Sequence, residues 1–105
     1  IEILNYFRKK IEILNNYEIN DIILDPGFGF AKDFDQNFEI LNKLDSFQIF
    51  NLPILVGLSR KSFIKKKYGM QNSLKGTIEL NKIALKNGAE IIRVHDVKEH
   101  INLIK

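Results

Sequence analysis

The sequence predicts an α/β fold built on parallel strands, and two observations predict it. Short, wholly apolar runs alternate with amphipathic helical stretches, and each apolar run ends on a polar cluster. Ile22-Ile23-Leu24 leads into Asp25 and the loop DPGFGFAK, Ile54-Leu55-Val56 into Gly57 and LSRKS, and Ile91-Ile92 through Arg93 and Val94 into His95 and Asp96. Short β-branched runs bounded by Gly, Pro and charge read as buried strands of a parallel sheet. In such sheets ligands bind beyond the C-terminal strand ends, where the following loops converge. A carboxylate, a lysine, an arginine and a histidine delivered to one rim form a candidate active site.

The elements follow in order. Apolar positions Ile1, Leu4, Phe7, Ile11 and Leu14 recur at helical spacing, so residues 1–15 read as an amphipathic helix stopped by Asn15-Asn16. A strand follows over 21–25. Asp33 is a suitable N-cap for the next helix, whose apolar face carries Phe34, Phe38, Leu41 and Leu44. Pro53 opens the second strand, and the SRKS loop enters a short helical turn over 63–68 that Gly69 breaks. Ser73 is expected to cap a third helix through Ile78, Ala84 and Leu85, closing at Asn87-Gly88. The third strand covers 90–94, and a last helix starts near Val97. Strand starts lie roughly 32–37 residues apart, close to the ~31 of a ~250-residue barrel of eight βα units. Two architectures fit: a small three-stranded α/β domain, or the C-terminal part of a barrel.

Composition narrows the class. The 105 residues carry 45% hydrophobic content, a net charge of +3 and no Cys or Trp, which suits one globular domain over 1–105. Without Cys there is no disulfide framework and no thiolate metal site, in keeping with a reducing, cytoplasmic setting. No apolar run approaches the ~20 residues that span a bilayer, so no membrane partner is expected. The first residues are charged and amphipathic, unlike a signal peptide. The chain opens within a helix on Ile1 rather than Met, and further upstream sequence is expected. Lys65-Lys66-Lys67 near Arg60 and Lys61 reads as a solvated helix face. It lacks the interleaved aromatic platform of a nucleic-acid surface, so no nucleic-acid partner is expected.

Each motif carries a chemical and a plain structural reading. Asp25 ends its strand, Pro26-Gly27 turns the chain, and Gly29 permits close backbone approach. The Asp25 carboxylate suits a heterocycle with adjacent N–H donors, and equally a turn-forming Asp-Pro-Gly. Phe28 and Phe30 read as core or loop anchors before ligand-stacking rings. Ser59, Arg60, Lys61 and Ser62 offer hydroxyls and cations to an anion such as a carboxylate, or simply form a solvated basic cap. Arg93 lies within an apolar strand, where an unpaired guanidinium is costly, and His95 follows on the same strand face. That pair suits a diphosphate clamp, or a structural ion pair beside a core histidine. Asp96 faces away from His95, and no spacing suggests a metal site built by this chain.

Taken together, IILDPGFGFAK at 22–32, LPILVGLSRKSFI at 52–64 and GAEIIRVHDVKE at 88–99 resemble, in order and spacing, the C-terminal signatures of the dihydropteroate synthase family. The resemblance covers essentially the whole chain. It implies the C-terminal portion, about three βα units, of a TIM (β/α)8 barrel of the pterin-binding type. The implied activity is a transferase step of folate biosynthesis, joining 4-aminobenzoate to 6-hydroxymethyl-7,8-dihydropterin diphosphate to give 7,8-dihydropteroate and diphosphate. Position by position, Asp25, Gly57 and Lys61 resemble the pterin-binding residues. Phe30, Arg60 and Ser62 resemble those around the aminobenzoate. Arg93 and His95 resemble the diphosphate pair, with Lys61, Arg93 and His95 as the catalytic set. The resemblance also implies a homodimer for the intact protein. It implies Mg²⁺ held by an asparagine of an N-terminal half that this chain lacks, together with further pterin contacts and two mobile loops. The chain alone is therefore expected to be inactive. Ala31 departs from the Gly of many relatives, a change expected to be tolerated.

Two other readings stand beside this one. Methyltetrahydrofolate-binding methyltransferases share the pterin barrel, but they hold no diphosphate and leave Arg93, His95 and the SRK lysine unexplained. A non-catalytic α/β binding module complete at 105 residues is the third.

Overall fold

Helix α1 (Glu2–Asn16) packs one side only, since Ile3, Leu4, Phe7 and Ile11 meet the core and none of its residues is fully buried. The Phe7 ring stands edge-on to Phe47 at 5.5 Å between centroids. The computed structural model describes residues 2–29, 32–59 and 61–104, so the expectations placed on Ile1, Phe30, Ala31 and Arg60 lie outside the described residues.

The strand expected over 21–25 is reduced to a single parallel bridge, Leu24 to Ile54. Its two bonds run from the Leu24 N–H to the Pro53 carbonyl at 2.9 Å and from the Leu55 N–H to the Leu24 carbonyl at 2.7 Å. The cause is in the sequence. Continuing the ladder one way calls on the nitrogen of Pro53 to donate to Ile22, and the other way on the nitrogen of Pro26 to donate to Leu55. Proline has no N–H, so pairing stops at both ends. Strand β1 (Leu55–Val56) lies in the middle and pairs in parallel with β2 (Ile91–Ile92), in the register Leu55↔Ile91 and Val56↔Ile92. The third strand is thus shorter than the expected 90–94, although the Arg93 N–H still reaches the Val56 carbonyl at 2.9 Å.

Alternation along these segments sorts their side chains. Leu24, Ile54 and Val56 are buried against the helices, whereas Ile23 and Ile91 are exposed on the opposite face. Arg93 and His95 are exposed on that same face.

Helix α2 (Phe34–Asn42) begins at Asp33 with a complete capping box: the Gln36 N–H donates to Asp33 Oδ1 at 2.7 Å, and the Asp33 N–H to Gln36 Oε1 at 2.9 Å. It ends before Leu44, which opens a 3₁₀ segment (Leu44–Phe50) and buries itself with Leu41 and Phe47. Helix α3 (Ser62–Tyr68) stops at Gly69, whose φ is +84°. Lys66 and Lys67 lie over the rings of Phe34 and Phe38, at 5.0 and 4.6 Å. The basic run therefore clasps α2 through cation–π contacts.

Helix α4 (Ser73–Lys86) corrects one expectation. A 3₁₀ turn (Met70–Asn72) runs straight into it, so Ser73 is already helical and does not act as the cap. Its buried hydroxyl has no partner among the described residues. Helix α4 closes at Asn87, whose Nδ2 donates to the Leu41 carbonyl at 2.9 Å, and Gly88 follows with φ +111°. Helix α5 (Val97–His100) is short, and buried His100 lies between the Asp96 carbonyl (2.7 Å from Nδ1) and Asn81 (2.9 Å from Nε2). The tautomer protonated at Nδ1 satisfies both contacts. No helix among the described residues is long and apolar enough to cross a membrane.

Candidate active site

Three loops leave the C-terminal ends of the extended segments, and specific contacts tie them together. In the first, Asp25 follows the Leu24 bridge, and its Oδ1 accepts the Gly27 N–H at 2.8 Å, forming an Asx turn. The turn-forming reading of Asp25 therefore holds, and its carboxylate remains exposed at the rim. Lys32 Nζ donates to the Gly27 carbonyl at 3.0 Å. The Gly29 N–H donates to Oδ1 of Asn37 at 2.8 Å, while Asn37 Nδ2 donates to the Asp33 carbonyl at 2.8 Å. Asn37 is buried and anchors this loop to the start of α2. Phe28 is buried too, stacked on Phe63 at 6.4 Å, so it is a core anchor.

The second loop leaves β1 through Gly57, Leu58 and Ser59, all buried, and reaches Lys61, the N-cap residue of α3. The Lys61 chain runs across Gly29: a Cβ there would sit 3.0 Å from Lys61 Cδ. Gly29 also has φ +83°, so glycine meets two demands at this point. Ser62 is the first residue of α3 and is exposed.

The third loop follows β2, and the sheet register explains its aim. If Leu55 faces Ile91 and Val56 faces Ile92, then Gly57 lies beside Arg93 and Ser59 beside His95. The Arg93 guanidinium lies over Gly57, where an added Cβ would be 2.6 Å from one terminal nitrogen and 3.2 Å from Cζ. Arg93 makes no ion pair with another described residue. Ser59 Oγ accepts the His95 N–H at 3.1 Å and lies 2.9 Å from His95 Nδ1.

Lys61 over Gly29, Arg93 over Gly57 and Ser59 against His95 thus join all three strand ends into one rim. The rim combines an exposed carboxylate with two cationic side chains and an imidazole. That set suits a ligand with a polar ring at one end and an anionic group at the other. Among the described residues no three His, Cys, Asp or Glu side chains converge. Sequence reasoning missed two supports. Asn37 sits in an ordinary amphipathic helix and gives no pattern to notice. Ser59 reads as an exposed anion ligand until the register places it under His95.

Gly57 also yields a prediction. Gly57→Ala is expected to leave folding nearly unchanged, because the atom in its way is the tip of a flexible side chain, but to displace Arg93. In full-length protein, diphosphate affinity should fall about tenfold by calorimetry, the scale of one charge-assisted contact. An unchanged affinity would show that Arg93 does not need this floor.

The family described as pterin binding enzyme matches residues 1–95. The chain belongs to that family. Among its relatives, the bifunctional dihydropteroate synthase/dihydropteroate reductase of Helicobacter pylori is 47% identical over 99% of this chain and 28% of its own length. The crystal structure of Yersinia pestis dihydropteroate synthase superposes with a TM-score of 0.93 at 38% identity, covering 98% of this chain and 50% of that one. The Xanthomonas albilineans dihydropteroate synthase solved with 4-aminobenzoic acid gives 0.93 at 29% identity, covering 98% of this chain and 40% of that one. This chain therefore spans half or less of the proteins it matches.

Proposed function

We propose that this chain forms three strand ends of a dihydropteroate synthase active site, within the C-terminal portion of a TIM (β/α)8 barrel. The observation that carries the reading is the rim itself, in which register places Arg93 and His95 beside Gly57 and Ser59 while Lys61 crosses Gly29. On this reading Asp25 accepts N–H groups of the pterin, with Lys61 and Gly57 completing that end. Ser62, with Arg60 and Phe30, borders the 4-aminobenzoate, a ligand present in the Xanthomonas relative. Arg93 and His95 hold the diphosphate.

The chemistry follows from those placements. The bond between the pterin methylene carbon and the diphosphate oxygen breaks, the diphosphate leaves with the bonding electrons, and the amine nitrogen of 4-aminobenzoate bonds to that carbon and loses a proton. Negative charge grows on the leaving group in the transition state, so fixed donors at Arg93 and His95 lower the barrier. The Mg²⁺, homodimer and cytoplasmic setting rest on the family resemblance, and no step here depends on them. The contacts at Arg93 and His95 favour this reading over a methyl-transferring pterin barrel, which has no anionic leaving group to grip.

The test is the condensation itself. A full-length polypeptide carrying this chain is expected to form dihydropteroate from 4-aminobenzoate and the pterin diphosphate, and the 105-residue chain alone to form none. Failure of the full-length protein to form product would refute the assignment.

A further inference from the structure

We infer that Ser59 is a positioning residue that holds His95 in the tautomer protonated at Nε2, so that the imidazole presents an N–H donor to the diphosphate at the rim. This rests on the proposed role of His95 and adds the group that sets it. Ser59 is 6% exposed and lies beside His95 by the register of β1 and β2. Its Oγ already accepts the His95 backbone N–H at 3.1 Å, and that bond fixes the loop beneath the ring. The hydroxyl hydrogen then needs an acceptor inside the protein, and among the described residues His95 Nδ1 at 2.9 Å supplies one.

The opposite tautomer fails this accounting. With the proton on Nδ1, Ser59 Oγ accepts twice and its own hydrogen is left unmatched in a buried position. The outer ring nitrogen then turns a lone pair, rather than a donor, toward an arriving anion. With Nδ1 accepting from Ser59, Nε2 carries the hydrogen, on a ring exposed on the strand face it shares with Arg93. The general device is a hydrogen bond at one imidazole nitrogen that decides the chemistry of the other.

The measurement is ¹⁵N NMR of histidine-labelled full-length protein at about pH 8, above the ordinary imidazole range, together with calorimetry using inorganic diphosphate and the pterin alcohol. The unmodified protein is expected to show His95 protonated at Nε2 with Nδ1 as acceptor. Ser59→Ala should lose that preference and bind diphosphate about tenfold more weakly, with pterin-alcohol affinity unchanged. Ser59→Thr, which keeps the hydroxyl, should restore both signals. Protonation at Nδ1 in the unmodified protein overturns the inference. So does a Ser59→Ala variant that weakens both ligands equally, since that is a general structural defect. Protein that shows the Nε2 tautomer and binds diphosphate but makes no dihydropteroate would instead refute the functional reading and leave this one standing.

Discussion

Asp25→Asn is expected to weaken the pterin alcohol and the pterin diphosphate alike, by about 2–4 kcal/mol, whereas Arg93→Ala should penalise the diphosphate alone. The asymmetry follows from their places on the rim. Asp25 ends the first extended segment with an exposed carboxylate, and an amide there turns a donor toward the donors of the pterin ring. Arg93 ends the third, with its guanidinium laid across Gly57 and no ion pair to another described residue. Removing it should also slow the chemical step in the full-length protein, because leaving-group charge grows in the transition state. Lys61→Ala, losing the chain that bridges the first two loops over Gly29, should impair pterin binding and turnover together. Calorimetric titration of each variant with both ligands separates the cases. If Arg93→Ala weakens the alcohol and Asp25→Asn spares it, the pterin and the diphosphate have been placed at the wrong strand ends.

Much of the fold was legible because it depends on local patterns. Helical spacing located α1, Asp33 marked the start of α2, and Gly69 and Asn87-Gly88 marked helix ends. The strands were legible as apolar runs but not in their lengths. Ladder length depends on which nitrogens can donate across the sheet, and Pro26 and Pro53 cut the first strand to one bridge only once the register is known. Ser73 misled for a related reason. A serine before an apolar stretch is a fair cap signal, but the preceding 3₁₀ turn had already made the chain helical.

The site divides the same way. Asp25, Gly57, Lys61, Ser62, Arg93 and His95 stood out because they interrupt or follow apolar runs, a signal that each residue carries in its own neighbourhood. Asn37 and Ser59 act through partners 8 and 36 residues away, so their roles exist only in the folded chain. Arg93 and His95 share with Ile91 the face of the sheet away from the core helices, while Ile92 and Val94 alternate with them and point the other way.

Phe28 decides whether the first loop is held by the core or by a ligand, and the structure leads to a large stability effect. Its ring is 1% exposed and stacks on Phe63, which meets Phe38 edge-on at 5.4 Å. The three rings connect the loop carrying Asp25 to α3 and α2. Phe28→Ala is therefore expected to cost about 3–5 kcal/mol, from lost apolar transfer and the cavity left behind. Phe28→Leu, which keeps most of the volume, should cost less than about 1.5 kcal/mol and preserve pterin affinity. Urea denaturation of both variants in the full-length protein measures these differences, with the slope of the transition checked for constancy. The loop should also loosen in the alanine variant, since Asp25 and Gly29 bracket the missing ring, so pterin affinity should fall along with stability. If Phe28→Ala instead unfolds at nearly the same urea concentration while losing pterin affinity, the ring serves the ligand and not the core.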